Sequence, residues 1–377
     1  MDNRDISQVD THFQPAPVEG AAFAFVDGQT PPIQTEGVLY EEGTGYVRLD
    51  AATRQAAGED LAYLARQTAG GRLRFRTNSP VIAVRVELVW AALMPHMPLT
   101  GSSGVDVYVG RGTRRTYVNS IYPRDAQSRE YEGVANLRGG APDAHHTPLV
   151  DPQPDKEGFI DVTVNLPLYN GVSRVEIGVQ NGAELAPPTP YTAEKPFGVY
   201  GSSITQGGCA SRPGTCYPAI LGRWADAGHV NLGFSGNGMG QPVIADALAR
   251  LPMSAFIMDY DYNAEDAAWL EKTHEAFFLR IRRAQPTLPV NFVTNPNPVR
   301  EGVKNAGRAA VIRRTLENAR ARGDDKVWMV DGSLFYSSGP EADGCTVDFL
   351  HPNDLGFLRM AEGIWPALRE ALGLSGR

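Results

Sequence analysis

The amino-acid sequence predicts an antiparallel β-sandwich followed by a doubly wound α/β unit with a parallel sheet. Up to about Ala186, apolar and polar residues alternate with a period of two, which is typical of strands with one buried face. From Pro196 onward, short apolar strands alternate with helical stretches, a pattern that favours a parallel sheet. Residues 183–195 carry three prolines and separate the two patterns, which indicates an interdomain linker.

The strands predicted in the first part show this alternation most clearly in Val84–Leu88, where apolar and charged side chains face opposite ways. Asp161–Leu166 and Val175–Val179 repeat the pattern, and the Gly, Pro and Asn between such segments favour a sandwich or jelly roll. A long exposed loop is predicted over Gly139–Glu157, which is rich in Pro, Asp and Gly. Further candidate strands are Gly37–Leu49, Leu73–Thr77, Val105–Val109, Thr116–Ile121 and Tyr131–Leu137.

The second part is predicted to contain five strands, each followed by a helix, with right-handed crossovers. The strands are Phe197–Tyr200, Val230–Phe234, Ala255–Tyr260, Val290–Thr294 and Val327–Val330. The helices are Tyr217–Ala227, Val243–Leu251, Ala267–Ala284, Ala306–Arg322 and Leu355–Leu372. The predicted domains are a flexible N-terminus at 1–15, the sandwich at 16–182, the linker at 183–195 and the α/β unit at 196–377.

Charge and composition argue against several classes of partner. The 377 residues carry a net charge of −8 without a Lys/Arg-rich run, so nucleic acid is not an expected partner. No apolar run approaches the ~20 residues of a membrane-spanning helix, so no membrane association is predicted. Residues 1–15 are polar and acidic, which predicts no signal peptide and a cytoplasmic protein.

The three cysteines, Cys209, Cys216 and Cys345, are too few for a disulfide framework, and reduced thiols are expected in the cytoplasm. Sequence spacing leaves open whether Cys209 and Cys216 pair in an oxidising compartment. No Cys/His spacing resembles a zinc site, so neither a metal nor another cofactor is predicted.

Polar and glycine-rich segments follow several predicted strands of the α/β unit. They are Gly201–Thr205, Gly233–Gly238, Asp259–Asn263 and, beyond the fifth strand, Asp348–Pro352. Ligands of such folds bind at the carboxyl ends of the strands, where these segments should meet. Together they supply hydroxyls, backbone amides, a side-chain amide and an Asp/His pair, which is the set needed for acyl transfer.

A serine hydroxyl in the first segment needs a base, and His351 can accept its proton as neutral imidazole. Asp348 lies three residues earlier and can bind the other ring nitrogen, which selects the tautomer. Candidate donors to a substrate oxyanion are the backbone N–H groups of Ser203 and Gly236 and the side chain of Asn263.

These segments resemble the blocks of the SGNH (GDSL-type) hydrolases. Gly201–Ile204 resembles the Gly-Asp-Ser-Ile/Leu block, with Ser202 in place of Asp, and this resemblance implies that Ser203 is the nucleophile. Gly236 resembles the glycine of the second block, and Asp348-x-x-His351 resembles the fifth. The resemblance implies a flavodoxin-like three-layer domain with a five-stranded parallel sheet.

The third block departs from the Gly-x-Asn-Asp of the family, because Tyr262-Asn263 stands where Asn-Asp is sought. Asn263 is the oxyanion donor that the resemblance implies, and Asn237 is the fallback. Gly104–Tyr108 resembles the Gly-x-Asp-Leu-Tyr signature of a β-rich domain that precedes some of these hydrolases. Residues 200–213 also resemble the extended first block of that subgroup, so the resemblance extends over nearly the whole chain.

The resemblance implies a serine esterase that forms an acyl-enzyme and acts on a small-molecule ester with a short acyl group. An acylated carbohydrate is the favoured candidate, by analogy alone. An acyltransferase or thioesterase with the same triad is one alternative, and a catalytically inactive carbohydrate-binding protein is another. The sequence leaves open whether the chain forms a homo-oligomer.

Two further residues are candidates for substrate binding. Arg212 follows the nucleophile by nine residues and could hold a polar or anionic part of the substrate. His96 lies in a loop of the first part that could reach over the active site, although a structural role is the favoured interpretation. His274 lies on the apolar face of a predicted helix and is expected to be packed in the core.

Overall fold

The computed structural model of the protein describes residues 9, 22–138, 151–296, 303–336 and 342–374. Residues 22–186, the N-terminal region, form two antiparallel sheets that share one core. Residues 193–374, the C-terminal region, form a five-stranded parallel sheet with helices. The predicted fold class, a sandwich followed by a parallel α/β unit, is confirmed.

The N-terminal region contains twelve strands and three short helices among the residues described. The strands are β1 Phe23–Asp27, β2 Gln34–Glu36, β3 Leu39–Glu41, β4 Gly45–Val47, β5 Arg72–Thr77, β6 Val81–Leu88, β7 Val105–Val109, β8 Thr116–Ile121, β9 Glu130–Asn136, β10 Ile160–Asn165, β11 Val172–Gln180 and β12 Leu185–Ala186. The helices are α1 Ala51–Ala57, α2 Glu59–Leu64 and α3 Leu99–Ser102.

The two sheets have the strand order of a jelly roll. One sheet runs β1-β11-β6-β9, and the main path of the other runs β12-β5-β10-β7-β8. Their inward side chains, such as Val84 and Phe75, form one buried cluster between the sheets. The alternation seen in the sequence therefore places one face of each strand in this core.

The prediction of a single strand over Gly37–Leu49 was wrong, because β3 and β4 form an antiparallel hairpin there. Gly43 lies in the connecting turn with a φ of +74°, a conformation that favours glycine. The helix α1, which sequence periodicity did not predict, begins after Asp50, whose carboxylate accepts a 2.8 Å hydrogen bond from the Thr53 N–H.

The C-terminal region alternates strands and helices. The strands are β13 Ala193–Gly201, β14 Ala227–Gly233, β15 Phe256–Asp259, β16 Val290–Val293 and β17 Val327–Val330. The helices are α4 Ser203–Gln206, α5 Tyr217–Ala225, α6 Pro242–Arg250, α7 Ala267–Ala284, α8 Val303–Ala321 and α9 Asp354–Ala371. The strand order is β14-β13-β15-β16-β17, all parallel, so the chain reverses its winding direction between β13 and β15. Ligand sites of open parallel sheets lie at this switch point.

The segment predicted as a linker, 183–195, is partly strand. Leu185–Ala186 pairs with β5 of the N-terminal region, and β13 already begins at Ala193. The domain boundaries stay a prediction. The predicted flexible N-terminus lies outside the described residues except for residue 9, as do residues 139–150 of the predicted loop. Among the described helices, none is both long and apolar enough to cross a membrane.

Candidate active site

The nucleophile turn, residues 201–206, connects the end of β13 to α4. Ser203 is the first residue of α4, and Ser202 is its N-cap, accepting a 3.2 Å hydrogen bond from the Ile204 N–H. Ser202, which stands where the family block has aspartate, therefore bonds within the turn. A Cβ on Gly201 would lie 2.3 Å from the Asp259 carbonyl oxygen, so only glycine allows this close approach.

Ser203, His351 and Asp348 are joined in series by hydrogen bonds. Ser203 Oγ lies 3.0 Å from His351 Nε2, and His351 Nδ1 lies 2.8 Å from Asp348 Oδ2. Ser203 is 8% exposed and the side chain of Asp348 is 40% exposed. The three residues that the sequence analysis selected thus meet with the spacing that a nucleophile, a base and an orienting carboxylate require.

The acid–base loop, residues 346–352, is closed by its own backbone. Thr346 and Pro352 form an isolated β-bridge, and the Val347 N–H donates to the His351 carbonyl at 2.9 Å. Asp348 Oδ1 accepts from the N–H groups of Leu350 and His351 at 3.0 and 2.7 Å. One carboxylate therefore shapes the loop with one oxygen and orients the imidazole with the other.

The same bonds determine the charge state of Asp348. Partial burial alone would raise the pKa of this carboxyl. The backbone N–H, the ring hydrogen bond and the charge of His351, together with the Leu350 N–H, lower the pKa to about 2 instead. Asp348 is therefore ionised at neutral pH and can stabilise a protonated His351.

The three groups that are predicted to donate hydrogen bonds to the oxyanion follow β13, β14 and β15, next to the switch point between β13 and β15. The Ser203 N–H has no acceptor within its own helix, because it is the first residue of α4. Gly236 has a φ of +69° in the turn after β14, a conformation that favours glycine. Asn263 follows β15, and its Oδ1 accepts a 3.1 Å hydrogen bond from the Gly238 N–H. That bond leaves Nδ2 of Asn263 as the donor.

The buried carboxyl group of Asp259 is hydrogen-bonded to Thr205 of the nucleophile turn. Asp259 Oδ2 lies 3.0 Å from Thr205 Oγ1 and 2.8 Å from the Tyr217 hydroxyl. Burial, followed by the neighbouring charge of Asp261, raises the pKa of Asp259 to about 8. Asp259 is therefore mostly protonated at neutral pH, and it is bonded to two hydroxyls that can each donate or accept.

The N-terminal region supports the same turn through buried polar side chains. The Tyr169 hydroxyl donates to the Ser203 carbonyl at 3.2 Å, and the Gln67 side chain bonds that of Gln206. Arg48 donates to the Asn231 carbonyl at 3.3 Å and to the Gly233 carbonyl, at the start of the turn that carries Gly236.

Arg48 is buried, and its hydrogen-bond acceptors in the described part of the chain are backbone carbonyls. Its remaining donors bind the carbonyls of Gln67 and Leu64 at 2.8 and 2.7 Å. Burial lowers the pKa of Arg48 to about 9, which still leaves the guanidinium charged at neutral pH. The guanidinium carbon of Arg48 lies 4.5 Å from the centroid of the Phe234 ring, a cation–π contact.

Arg212, which the sequence offers as a substrate-binding residue, contacts the N-terminal region, and its role towards a substrate stays a prediction. Its guanidinium lies 3.3 Å from Asp106, bonds the Tyr108 hydroxyl and stacks 3.9 Å from the Tyr117 ring. Asp106 also accepts from the Gly214 N–H at 2.7 Å. The Gly104–Tyr108 signature therefore joins the two regions.

Asn237, the fallback oxyanion donor, uses its side chain within its own turn. Its Nδ2 lies 3.3 Å from the Ser235 carbonyl, and its own carbonyl accepts from the Gln241 side chain at 2.7 Å. Asn263 is thus the better placed of the two amides.

His96 reaches the active site from the N-terminal region. Its ring centroid lies 5.8 Å from that of His351, and nitrogen atoms of both rings lie within 4.8 Å of Cys209 Sγ and of each other. Burial, and next the charge of Asp348, raises the pKa of the Cys209 thiol to about 11, which argues against a cysteine nucleophile. The sequence could not predict this cluster, because its members lie far apart along the chain.

Cys216, Cys345, His229 and His274 lie outside the cluster of His96, Cys209 and His351. Cys209, Cys216 and Cys345 are buried free thiols, so the 209–216 pair is not bonded. His274 is buried, as predicted, and burial lowers its pKa to about 3. His229 is buried in β14, and burial lowers its pKa too.

Comparison with known families gives two matches along the chain. Residues 194–369 match the model of the GDSL-like lipase/acylhydrolase family, and residues 23–185 match that of the N-terminus of SGNH-hydrolase-type esterases, called GxDLY. A search of curated proteins gives no match.

Solved structures share this architecture. A protein from Bacteroides ovatus ATCC 8483, assigned as a GDSL-like lipase, is 27% identical with a TM-score of 0.78, over 93% of this chain and 98% of that one. A salicylyl-acyltransferase of a tetracycline biosynthetic pathway is 20% identical with a TM-score of 0.72, over 94% and 98%. A family two carbohydrate esterase from Clostridium thermocellum, in complex with cellohexaose, is 14% identical with a TM-score of 0.58, over 90% and 99%. The last two similarities concern the fold alone.

Proposed function

Because residues 194–369 match the model of the GDSL-like lipase/acylhydrolase family and residues 23–185 match that of the N-terminus of SGNH-hydrolase-type esterases, we propose that the protein is a serine esterase with Ser203 as its nucleophile. His351 is the general base, and Asp348 orients and stabilises its ring. The observation that carries this proposal is the hydrogen-bonded series from Ser203 Oγ through His351 to Asp348, at 3.0 and 2.8 Å.

The reaction begins when His351 Nε2 accepts the Ser203 proton as Oγ attacks the ester carbonyl. The ionised Asp348 accepts from Nδ1, so the lone pair of Nε2 faces the hydroxyl. His351 then gives the proton to the leaving alcohol, and the acyl group stays on Ser203. Water, activated by the same imidazole, attacks the acyl-enzyme and releases the acid.

The oxyanion of each tetrahedral intermediate is stabilised by the N–H groups of Ser203 and Gly236 and by Nδ2 of Asn263. Each of these donors comes from the end of a different strand, β13, β14 and β15 in turn. Removing one donor of this kind typically costs about 3 kcal/mol of transition-state stabilisation.

Short-chain esters of carbohydrates are the substrates that we favour. The support is indirect: the Clostridium thermocellum carbohydrate esterase, whose structure holds cellohexaose, shares the fold along nearly the whole of this chain. Transfer to an acceptor other than water is the second candidate, because the salicylyl-acyltransferase shares the same two-part architecture. The hydrogen-bonded series argues against a protein that only binds carbohydrate.

The test compares two neighbouring serines with p-nitrophenyl acetate as substrate. Ser203→Ala should lower kcat by at least about 10⁴-fold, because no other hydroxyl occupies the end of the series. Ser202→Ala is the matched control, since it removes only a helix cap, and it should keep activity within about tenfold.

Unchanged activity in Ser203→Ala would refute the proposal. Acyl release measured with and without added sugar acceptors then separates hydrolysis from transfer. A screen of acetylated sugars, simple short-chain esters and thioesters identifies the preferred leaving group.

A further inference from the structure

Three metal-ligating side chains from distant segments meet beside the proposed base. His96 comes from the N-terminal region, Cys209 follows the nucleophile turn and His351 lies in the acid–base loop. One ligand atom from each lies within 4.8 Å of the other two. Imidazole nitrogen and thiolate sulfur are the ligands that zinc prefers in proteins. Because the Cys209 thiol is protonated at neutral pH, metal binding has to release its proton to solvent.

The spacing of these atoms is close to that of a zinc site. Zn–N distances of ~2.1 Å and Zn–S distances of ~2.3 Å in a tetrahedron place ligand atoms about 3.5 Å apart. The ligand atoms therefore have to approach one another by at most about 1.3 Å. His96 is exposed, so its ring has room to make this movement, whereas Cys209 is buried.

The orientation of His351 also suits a metal. Its Nδ1 bonds Asp348 at 2.8 Å, so the outward nitrogen is Nε2, which lies 3.0 Å from Ser203 Oγ. A histidine ligand with its second nitrogen bonded to a carboxylate is the common arrangement in metal sites, where the carboxylate orients the ring and increases its basicity.

We propose that His96, Cys209 and His351 bind a divalent cation of the zinc class, and that the bound cation inhibits the enzyme by occupying Nε2 of His351. Three protein ligands leave a fourth position for water. Binding itself does not depend on the proposed function. Inhibition does rest on it, because the blocked nitrogen is the one that would accept the Ser203 proton.

Cobalt(II) is the spectroscopic probe, in the Ser203→Ala full-length protein so that the measurement does not involve activity. We expect one Co²⁺ per chain, with a thiolate-to-cobalt charge-transfer band and the d–d bands of a tetrahedral ion. Added Zn²⁺ should displace Co²⁺ and so abolish the charge-transfer band and the d–d bands. A spectrum without the thiolate band would overturn the site.

Substitutions of the proposed ligands in the Ser203→Ala protein show which residue gives rise to each feature of the Co²⁺ spectrum. Cys209→Ser should remove the thiolate band, and His96→Ala should weaken Co²⁺ binding at least about tenfold. Cys216→Ser is the matched control, because this buried thiol bonds the Pro213 carbonyl and is not in the cluster. A thiolate band that survives Cys209→Ser but disappears in Cys216→Ser would contradict the assignment. Circular dichroism verifies that each variant is folded.

The inhibition is measured with the unsubstituted active site. Zn²⁺ should inhibit hydrolysis of p-nitrophenyl acetate, EDTA should restore it, and Cys209→Ser should require at least about tenfold more Zn²⁺. Co²⁺ binding without inhibition by Zn²⁺ would refute the inhibitory role. If the protein hydrolyses no ester at all, the proposed function fails, while the cobalt spectrum still decides the metal site.

Discussion

The nucleophile turn and the acid–base loop meet at one hydrogen bond, but different parts of the chain hold them. The nucleophile turn is buried, and the N-terminal region bonds it through Tyr169 and Gln67. The acid–base loop is held largely by its own bridge and by Asp348, whose side chain is 40% exposed.

This difference separates two requirements of the proposed chemistry. The nucleophile and the oxyanion donors must stay fixed relative to one another, which burial and cross-region bonds ensure. The imidazole needs only a correct tautomer and direction, which a carboxylate three residues away supplies. The N-terminal region is therefore a structural partner of the oxyanion site more than of the base.

Among the changes that test this difference, the largest effect is expected from Asp348→Asn. Asparagine can keep the backbone bonds with its oxygen, but its amide then donates to Nδ1 and forces the proton onto Nε2, where it blocks base catalysis. We expect kcat to fall by about 10³-fold, less than the roughly 10⁴-fold for a buried triad aspartate, since water reaches this side chain.

The control for that variant is Asp331→Asn. Asp331 is exposed and accepts from the Ser333 N–H at 3.0 Å in a similar local turn, so its loss should leave kcat within about twofold. Equal losses in both variants would mean that the acid–base loop does not act through the imidazole.

A smaller effect is expected from Arg48→Met. This variant tests whether the hydrogen bonds of Arg48 to carbonyls of both regions stabilise the active site. The change leaves buried carbonyls of both regions unbonded, so the free energy of unfolding should fall by about 3 kcal/mol. We expect kcat to fall about tenfold as the Gly236 turn loosens. Arg48→Lys should lower the free energy of unfolding and kcat less than Arg48→Met, because the lysine ammonium can still reach some of the carbonyls.

Urea unfolding and steady-state kinetics measure the two effects of Arg48→Met. Arg85→Met is the matched control, because Arg85 bonds Glu132 on the surface and its loss should cost less than about 1 kcal/mol. Loss of stability without any loss of kcat would show that the oxyanion site does not depend on the N-terminal region.

The smallest effect concerns the pH dependence of stability, to which the aspartate behind the nucleophile turn and the aspartate of the acid–base loop should contribute differently. Asp259 has a folded-state pKa of about 8, above its unfolded value of 3.8, so its contribution is lost as pH rises between these values. Asp259→Asn should therefore remove a decrease of about 2 kcal/mol between about pH 6 and pH 8.

Asp348 provides the contrast to Asp259. Its pKa is lowered to about 2, so the stability that it contributes is present above about pH 4 and is lost only as pH falls towards 2. Asp348→Asn should therefore leave the pH 6 to 8 range unchanged. A pH slope that stays the same in Asp259→Asn would contradict the assignment of a buried, protonated Asp259.

Much of the fold was predictable, because strong local periodicity records which face of an element is buried. Val105–Val109, Ala267–Ala284 and Val327–Val330 have the predicted bounds. Prediction failed where a turn interrupts an apolar run, as at Gly43 within the predicted strand Gly37–Leu49. Apolar content there indicated strand but could not reveal the reversal.

The site was predictable only where its residues occur in short blocks. Ser203, Asp348 and His351 were selected in this way. Arg48 and the cluster of His96 with Cys209 carry no local signal, because their partners lie far away in the chain. The contact of Arg212 with Asp106 could not be predicted for the same reason, since the nearness of Arg212 to Ser203 in sequence says nothing about Asp106.

The most direct test of the central claim is to find which residue a fluorophosphonate labels, by mass spectrometry of the digested protein. The proposal predicts one phosphonyl group on Ser203 in the unmodified protein and in Ser202→Ala, and none in Ser203→Ala. Labelling of Ser202, or of any residue in the Ser203→Ala protein at the same rate, would contradict it.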